Sequence, residues 1–442
     1  MSVLALKINQ CLHGFPSARQ ASLELLKRFS SRINCIAASA GNKNFIEKPH
    51  FKLYSTTPLP QACSRVNVGK ASHVEKFRCS VTDPALHSMD DVSLFYQIPN
   101  EFYCRMATAE WNTLAFSHRF QKLSRIFNEN CMMIRKPGIE IINMLEQSDY
   151  NSPVNRFLLY GSQGCGKSML LQYAVHYALL RNWLIVPTYH TWNWVTYHHR
   201  FKEHKQQEHV MSQWNAERID QPERAAEWLK TFRLLNKPLL LQLKTTKDYV
   251  WSKHETTKEG SSFSQLVDTG IARIKIASDV IGALMREIRL QNSPNFPRTL
   301  VVTDCVNALF GNTRFRLEYG VQVESHQLTF VHHMKKMLSN QWKNGAVITA
   351  LDRSIFSTPD LYTKPIYTEH PYDCLSKEGF DCLDPHIPVH VPPYTDGEML
   401  TQLAYYIDNK WLTGKSLTEA GEAELFQLSS NNPISRNCLH VY

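Results

Sequence analysis

The chain has 442 residues, of which 43% are hydrophobic and 20% are charged. This length favours two or three domains, and the composition is that of a globular protein with enough apolar residues to form cores. The eleven cysteines include no C-x₂-C pair, which disfavours a disulfide framework and a four-cysteine zinc site, and no apolar run is long enough to predict a membrane span.

Positive charge is concentrated at the amino terminus. Residues 1–54 contain eight lysines and arginines but two acids, so this segment carries +6 of the formal net charge of +9. The stretch SLELLKRFSSRINCI can form an amphipathic helix with Leu26, Phe29, Ile33 and Ile36 on one face. A basic, serine-rich, acid-poor segment of this kind is typical of a mitochondrial transit peptide, which we predict over 1–54. The alternative is a basic arm that binds nucleic acid.

The pattern then changes from irregular to periodic. Residues 55–95 show no lasting period, and we predict an extended N-terminal arm there. From 96 to 147 apolar residues return at helical spacing, notably in GIEIINMLEQ. The run RFLLY predicts a short buried strand, KSMLLQYAVHYALLRN a helix and WLIVPTY a second strand. A glycine-rich loop separates the first strand from the helix.

The second half of the chain repeats this alternation. Residues 264–290 predict one long helix, because apolar residues recur at intervals of three and four. TLVVTD and GAVITALD predict buried strands, and ESHQLTFVHHMKKMLSNQW predicts a helix between them. We therefore predict an α/β fold over 96–393, with a mainly parallel sheet and helices on both faces. The proline-rich residues 352–393 are predicted to be irregular, and 394–442 to form a small helical C-terminal domain.

The glycine-rich loop has the chemistry of a phosphate-binding site. GSQGCGKS fits the P-loop spacing and stands between a strand and a helix, as that motif requires. In such loops backbone N–H groups surround the phosphates, the lysine reaches their terminal oxygens and the hydroxyl binds Mg²⁺. For Cys165, a small side chain that fits the loop is favoured over a reactive thiol at a helix N-terminus. The predicted nucleotide-binding residues are Gly161, Ser162, Gln163, Gly164, Cys165, Gly166, Lys167 and Ser168.

An acid at the end of a later strand complements this loop. LVVTD places Asp304 at the carboxyl end of a core strand, where open α/β sheets bind ligands. We predict that Ser168 and Asp304 hold Mg²⁺; the alternative is an aspartate that caps the next turn. The residues that follow, Cys305, Val306 and Asn307, include no general base of useful strength. The sequence therefore favours nucleotide binding over turnover and predicts no catalytic residue.

The stretch YHTWNWVTYHHRFKEHKQQEH at 189–209 is rich in histidine and tryptophan and has two interpretations. No cysteine lies nearby, which disfavours a zinc site. Its aromatic and basic residues can stack on RNA and neutralise it, or contact a protein. They can equally form one face of an ordinary surface helix.

Eight segments are informative together: MMIRKPGIE, FLLYGSQGCGKS, DQPERAAEWLKTF, KDYVWSKHETTKEGS, DTGIARIKIASDVIGALMREI, VVTDCVNALFG, GFDCLDPHIPVHV and, near the end, LSSNNPISRNC. Together they resemble the death-associated protein family, a constituent of the mitochondrial small ribosomal subunit. The similarity covers roughly residues 96–442.

The resemblance implies an AAA-like P-loop domain with a helical C-terminal lid, in the head of the small subunit near its contacts with the large subunit. The implied partners are mitochondrial small-subunit ribosomal proteins, rRNA and large-subunit proteins at those contacts. The implied location is the mitochondrial ribosome in the matrix. The implied cofactors are Mg²⁺ and a purine nucleotide, usually GTP or GDP. ATP is left open, because the sequence has no N-K-x-D motif that would select guanine.

Two other functions are left open. One is an active P-loop switch that hydrolyses GTP or ATP, for which Arg353 and Arg436 are the candidate cations for the transition state. The other is an apoptosis-signalling adaptor that uses its nucleotide as a conformational latch. The resemblance implies this second function, and no residue of the chain indicates it.

Overall fold

The computed structural model describes most of the chain from residue 76 onward. The described residues are 76–107, 116–196, 210–213, 215–291, 296–316, 321–352, 370–412, 418, 421 and 423–425. The predicted transit peptide, the first part of the predicted arm, residues 197–209 of the histidine-rich stretch, Arg353 and Arg436 lie outside them.

Helices and short strands alternate along the described residues. Helices α1 to α12 span Asn100–Ala107, His118–Phe127, Lys136–Gln147, Lys167–Leu180, Trp192–Val195, Pro222–Leu240, Phe263–Ala272, Ala277–Leu290, Thr329–Leu338, Pro371–Cys374, Lys377–Leu383 and Asp396–Asp408. Strands β1 to β14 span Arg78–Cys79, Phe95–Gln97, Cys131–Met133, Asn155–Tyr160, Leu184–Thr188, Val210–Met211, Ile219–Asp220, Tyr249–Ser252, Glu255–Thr257, Thr299–Thr303, Asn312–Arg316, Gln322–Glu324, Gly345–Ala350 and Ile387–His390. Across the ranges given above, no helix is both long and apolar enough to span a bilayer.

The centre of the fold is a five-stranded sheet in the order β14–β4–β13–β10–β5, in which every strand is parallel to its neighbours. Val301 of β10 pairs with Val186 of β5 on one side and with Val347 of β13 on the other. Parallel neighbours require crossover connections, which here contain helices. The predicted α/β class is therefore confirmed, and the carboxyl ends of all five strands meet at one edge of the sheet.

Both faces of this sheet are buried, because successive residues of a strand enter different cores. In β4, Leu158 packs in one core, whereas Phe157 and Leu159 pack in the other. The core of Leu158 contains apolar residues of α6, α7, α8 and α9. The core of Phe157 contains those of α3 and α4. Helices thus cover both faces, as the alternation in the sequence predicts.

A second sheet of three strands, β1–β2–β3, packs against α12. The ring of Phe95 in β2 stacks on Tyr405 of α12 with 4.3 Å between centroids, and Met133 of β3 belongs to the same cluster. The helical spacing predicted over 96–147 is correct for α1, α2 and α3, but β2 and β3 interrupt it, since short apolar runs do not distinguish strand from helix. This packing fixes α12, which belongs to the predicted lid, to the segment that precedes α3.

The single helix predicted over 264–290 is in fact two helices, α7 and α8. A 3₁₀ turn at Ile274–Ile276 separates them, and Arg273 before it has a non-helical backbone with φ −115° and ψ 76°. Both helices pack in the same core, so the apolar spacing continues through the turn and does not reveal the break. A Cβ added to Gly270 would lie 2.5 Å from Leu229 Cδ1, so α7 approaches α6 closely just before the chain turns.

The prediction of an irregular segment over 352–393 is wrong for the described part of that range. The segment contains α10, α11 and β14, and β14 forms an edge of the main sheet, with Val389 paired to Leu159 of β4. Pro388 lies within this strand, and an edge strand accommodates proline because it needs ladder hydrogen bonds on one side. The predicted helix over 324–342 is also shorter, since α9 begins at Thr329 and ends at Leu338.

Candidate functional site

The glycine-rich loop leaves β4 at the carboxyl edge of the sheet and leads directly into α4. Gly161, Gly164 and Gly166 have φ values of 144°, 84° and 102°, in the region that side chains rarely adopt. A Cβ on Gly161 would lie 2.3 Å from the carbonyl oxygen of Val391, the residue that follows β14. The loop therefore requires glycine both for its turns and for its close contact with the neighbouring strand.

Lys167, the first residue of α4, is a buried cation. Its Nζ donates hydrogen bonds to the carbonyl oxygens of Gly161 at 2.9 Å and Ser162 at 2.8 Å, and no carboxylate of the described residues pairs with it. The buried Ser162 Oγ has no partner, and no hydrogen bond among the described residues uses the N–H of Gly164 or Gly166. Burial of a cation and of unpaired polar groups is costly, so this cradle fits an anion such as a phosphate.

Ser168 and Asp304 meet across the site. Ser168 Oγ donates to Asp304 Oδ2 at 2.6 Å, and Asp304 Oδ1 accepts from the backbone N–H of Cys305 at 2.9 Å. Burial raises the pKa of the Asp304 carboxyl, and the hydrogen bond from Ser168 opposes that rise. A hydroxyl and a carboxylate supply the hard oxygen donors that Mg²⁺ prefers, so the pair fits the metal predicted for it.

The strand β5 and the loop after it hold Asp304 in place. The backbone N–H of Asp304 donates to the carbonyl oxygen of Thr188 at 3.0 Å, and Thr191 Oγ1 donates to the carbonyl oxygen of Asp304. His190, which belongs to the described part of the histidine-rich stretch, lowers the pKa of Asp304 through its charge. This part of the stretch therefore contacts Asp304 through Thr191 and favours its charged form through His190.

The residue after Asp304 is not a base. Cys305 has a left-handed backbone with φ 58°, and burial, followed by the charges of Asp304 and Asp352, raises the pKa of its thiol. Its Sγ donates to Asp352 Oδ2 at 3.6 Å. Asp352 follows β13, and Asn307 fixes its backbone through two hydrogen bonds of 2.8 and 3.1 Å. Asp352 is a second acid at this sheet edge, which the strand-final position of GAVITALD could have indicated.

Cys165 lies inside the loop with its thiol fully buried. Its Sγ is 3.7 Å from Lys167 Nζ and 3.4 Å from a Cβ built on Gly161. This position is that of a small side chain that fills space under the loop, the interpretation favoured from the sequence.

A buried ion pair connects the loop to α12, and sequence reasoning did not identify it. Arg135, which precedes α3, donates from Nη1 to the carbonyl oxygen of Cys165 at 2.6 Å and from Nε to Glu398 Oε1 of α12 at 2.9 Å. Its Nη2 bonds the carbonyl oxygens of Pro392 and Pro393. The side chains of Arg135 and Glu398 are 5% and 4% exposed. One guanidinium thus joins the glycine-rich loop, the segment after β14 and α12, which belongs to the predicted lid.

The structure brings Gly161 to Ser168 and Asp304 together in one place, as predicted. It adds Asp352 and the ion pair of Arg135 with Glu398. The candidate cations Arg353 and Arg436 lie outside the described residues.

Comparisons with known proteins identify relatives along most of the chain. The family model described as Mitochondrial ribosomal death-associated protein 3 matches residues 132–436. Small ribosomal subunit protein mS29 of Mus musculus is 34% identical over 372 residues, which cover 82% of this chain and 88% of that protein. The protein of the same name from Bos taurus is 34% identical over 368 residues, covering 81% and 87%. That of Schizosaccharomyces pombe is 22% identical over 321 residues, covering 71% and 64%.

Proposed function

The chain belongs to the mitochondrial ribosomal death-associated protein 3 family, and from this membership we propose that it is a structural protein of the mitochondrial small ribosomal subunit. The observation that carries the proposal is the similarity to mS29 of Mus musculus over most of both chains. The proposed location is the ribosome of the mitochondrial matrix, in the head of the small subunit. The proposed partners are small-subunit proteins, rRNA and, at the intersubunit contacts, large-subunit proteins.

Sedimentation of the endogenous protein tests this role. In a sucrose gradient of mitochondrial lysate, we expect the chain in the fractions that contain small-subunit rRNA. Ribonuclease treatment before the gradient should move the chain and the other small-subunit proteins toward the top together. A chain that stays in the top fractions while small subunits sediment normally would overturn the proposal.

We further propose that the P-loop and Asp304 hold GTP or GDP with Mg²⁺, with ATP as the alternative. The support is the glycine cradle, the buried ammonium without a carboxylate partner and the hydroxyl–carboxylate pair. Lys167 and the loop N–H groups would neutralise and bond the phosphate oxygens, and Ser168 and Asp304 would hold the metal. The metal, when bound, supplies positive charge at the phosphates.

We expect the nucleotide to be turned over far more slowly than a typical enzyme rate of about 10 s⁻¹. Catalysis requires a residue that positions water and a cation that meets the developing charge, the latter worth a factor of about 10³–10⁵. Cys305, whose thiol stays protonated, occupies the position directly after the metal acid. Multiple-turnover assays with GTP and ATP, on the free chain and on the isolated subunit, measure the rate.

The control for this assay is Asp304→Ala, which removes the proposed metal ligand. Steady turnover near the typical enzyme rate in the wild type, lost in Asp304→Ala, would show that the chain is an enzyme. In that case Asp352→Asn would test whether the second acid at this edge acts as the base.

We expect the mature protein to begin near Ser55. The sequence HFKLY-STTP has an aromatic residue followed by three hydroxylated residues, with Lys52 three positions before the proposed cleavage. Cleavage there would remove +6 of the net charge of +9. N-terminal sequencing of the protein from mitochondria, beside the uncleaved translation product as a size control, tests this. A mitochondrial protein that begins at Ser2 would contradict it.

A further inference from the structure

A strongly basic surface lies where α8 packs against α9, and we name it the basic face. It contains basic side chains of α8 and α9 and one that precedes β7, all close enough to influence one another electrostatically. The basic face consists of Arg218, Arg286, Arg289, His332, His333 and Lys336.

Helix geometry places these residues together. A Cβ added to Gly282 of α8 would lie 2.4 Å from His333 Nε2, so the imidazole of α9 rests directly on the backbone of α8. Arg286 and Arg289 follow Gly282 by four and seven residues, which places them on the same face of α8. Lys336 follows His333 by three residues and therefore lies on the neighbouring turn of α9.

The electrostatic neighbours of the two histidines are other basic groups. Burial, followed by the charges of Lys336 and Arg218, lowers the pKa of His332 to about 4. Burial, followed by the charges of His332 and Lys336, lowers the pKa of His333 to about 3. Both imidazoles are therefore neutral at pH 7 and can donate and accept hydrogen bonds.

The cations of the basic face form no ion pair with acids of the described residues, and Arg218 interacts at longer range with one acid, Asp220. None of the ion pairs among those residues includes Lys336 or any of the three arginines. Lys335, the residue of α9 that precedes Lys336, does form an ion pair, with Glu378 at 2.6 Å. Asp220 is the acid that interacts electrostatically with Arg218. It is buried, and burial raises the pKa of its carboxyl. An external anion would relieve the repulsion that these cations exert on one another.

We propose that the basic face binds the phosphodiester backbone of RNA. The proposal rests on the proposed role in the ribosomal subunit and assigns a surface through which the chain contacts rRNA. Each arginine can donate two parallel hydrogen bonds to a phosphate, and the neutral histidines can bond a 2′-hydroxyl. Cations on successive turns of two adjacent helices match a ligand that carries one negative charge per nucleotide better than they match a single small anion.

An acidic polypeptide is the competing ligand, and the composition of the surface disfavours it. The centres of protein–protein interfaces are depleted of charge and enriched in aromatic residues and methionine. Surfaces that bind nucleic acid are more polar and much more positive. The three arginines and one lysine of the basic face, none of them in an ion pair among the described residues, give it the charge of the second kind of surface.

The test compares RNA binding by two double variants of the full chain. Arg286→Gln with Lys336→Gln removes two exposed charges from the basic face. Lys122→Gln with Arg125→Gln removes the same charge from exposed positions of α2 and is the matched control. Each protein is titrated with a fluorescently labelled RNA hairpin over a series of salt concentrations, and its melting temperature confirms that it is folded.

We expect the basic-face variant to bind the hairpin about tenfold more weakly than wild type at physiological salt. The slope of log K against log salt should fall by about one to two, because up to two phosphate contacts are lost. The control should match wild type in both quantities. Equal affinity and slope in the two variants would overturn the proposal. So would a basic-face variant that keeps its RNA affinity but loses binding to labelled polyglutamate, which would assign the surface to an acidic polypeptide.

Sedimentation of the same proteins in the sucrose gradient distinguishes failure of the ribosomal role from failure of the RNA-binding assignment of the basic face. If the wild-type chain does not sediment with small subunits, the ribosomal role fails whatever the hairpin shows. If it does sediment with them and the basic-face variant keeps its RNA affinity, the assignment of the basic face fails alone.

Discussion

Replacing Lys167 by alanine is expected to weaken nucleotide binding at least about hundredfold. The ammonium is buried and bonded to the carbonyl oxygens of Gly161 and Ser162, and no carboxylate of the described residues neutralises it. Its charge is therefore available to the β- and γ-phosphate oxygens of the proposed nucleotide. Titration with fluorescent GDP, GTP and ATP measures the loss. Lys253→Ala, which removes an equal charge from the exposed end of β8–β9, should bind as wild type does.

Melting temperatures separate the effect of this substitution on binding from any effect on folding. Without nucleotide, Lys167→Ala should melt close to wild type, because removal of an unpaired buried charge offsets the loss of its hydrogen bonds to Gly161 and Ser162. With nucleotide at about one hundred times its Kd, binding adds about 2.7 kcal/mol to the stability of wild type and should add almost nothing to the variant. Equal stabilisation of the two proteins by nucleotide would place the site elsewhere.

The strand, loop and helix around Lys167 could be predicted from the sequence because each has a local signal. The apolar run of β4, the three glycines with positive φ and the apolar residues of α4 are all contained within 155–180. Asp304 could be predicted for a similar reason, since an acid after a buried strand of a parallel sheet must lie at its carboxyl edge. Local sequence signals and this rule of sheet topology were therefore sufficient to predict the positions of these residues.

The remaining contacts of the site could not be predicted because they depend on long-range packing. Arg135 and Glu398 are separated by 263 positions, and neither residue stands in a pattern that requires a charged partner. The edge strand β14, which brings Val391 against Gly161, was hidden by prolines that resemble those of a loop. The break between α7 and α8 was hidden because both helices share one core. In each case the decisive contact is with a distant element.

The ion pair of Arg135 and Glu398 connects the glycine-rich loop to α12 through a few short hydrogen bonds. Arg135 bonds the loop carbonyl of Cys165, and its guanidinium lies 4.8 Å from the ring centre of Tyr394. Glu398 also accepts from the backbone N–H of Thr395 at 2.9 Å and so caps α12. Loss of either charge would therefore disturb both the helix and the loop.

Replacing Glu398 by alanine is expected to destabilise the folded chain by about 3–5 kcal/mol, because it leaves the buried guanidinium of Arg135 unpaired. The neighbouring exposed pair of Lys136 and Glu140, 3.8 Å apart, provides the control. Glu140→Ala should cost at most about 1 kcal/mol, since exposed ion pairs contribute little. Denaturant unfolding of both variants beside wild type measures the two costs. A similar small cost for both would show that the buried pair is not required for stability.

Nucleotide affinity distinguishes a positioning role of this pair from a purely structural one. Replacing both Arg135 and Glu398 by methionine should restore much of the lost stability, because apolar side chains of similar volume avoid burial of an unpaired charge. It should not restore nucleotide affinity, since the carbonyl of Cys165 would still lack the donor that holds it at 2.6 Å. The loop could then move, and its N–H groups would lose the fixed arrangement that phosphate binding needs. Wild-type affinity in a stable double variant would contradict this role and leave the pair as a structural link between α12 and the core.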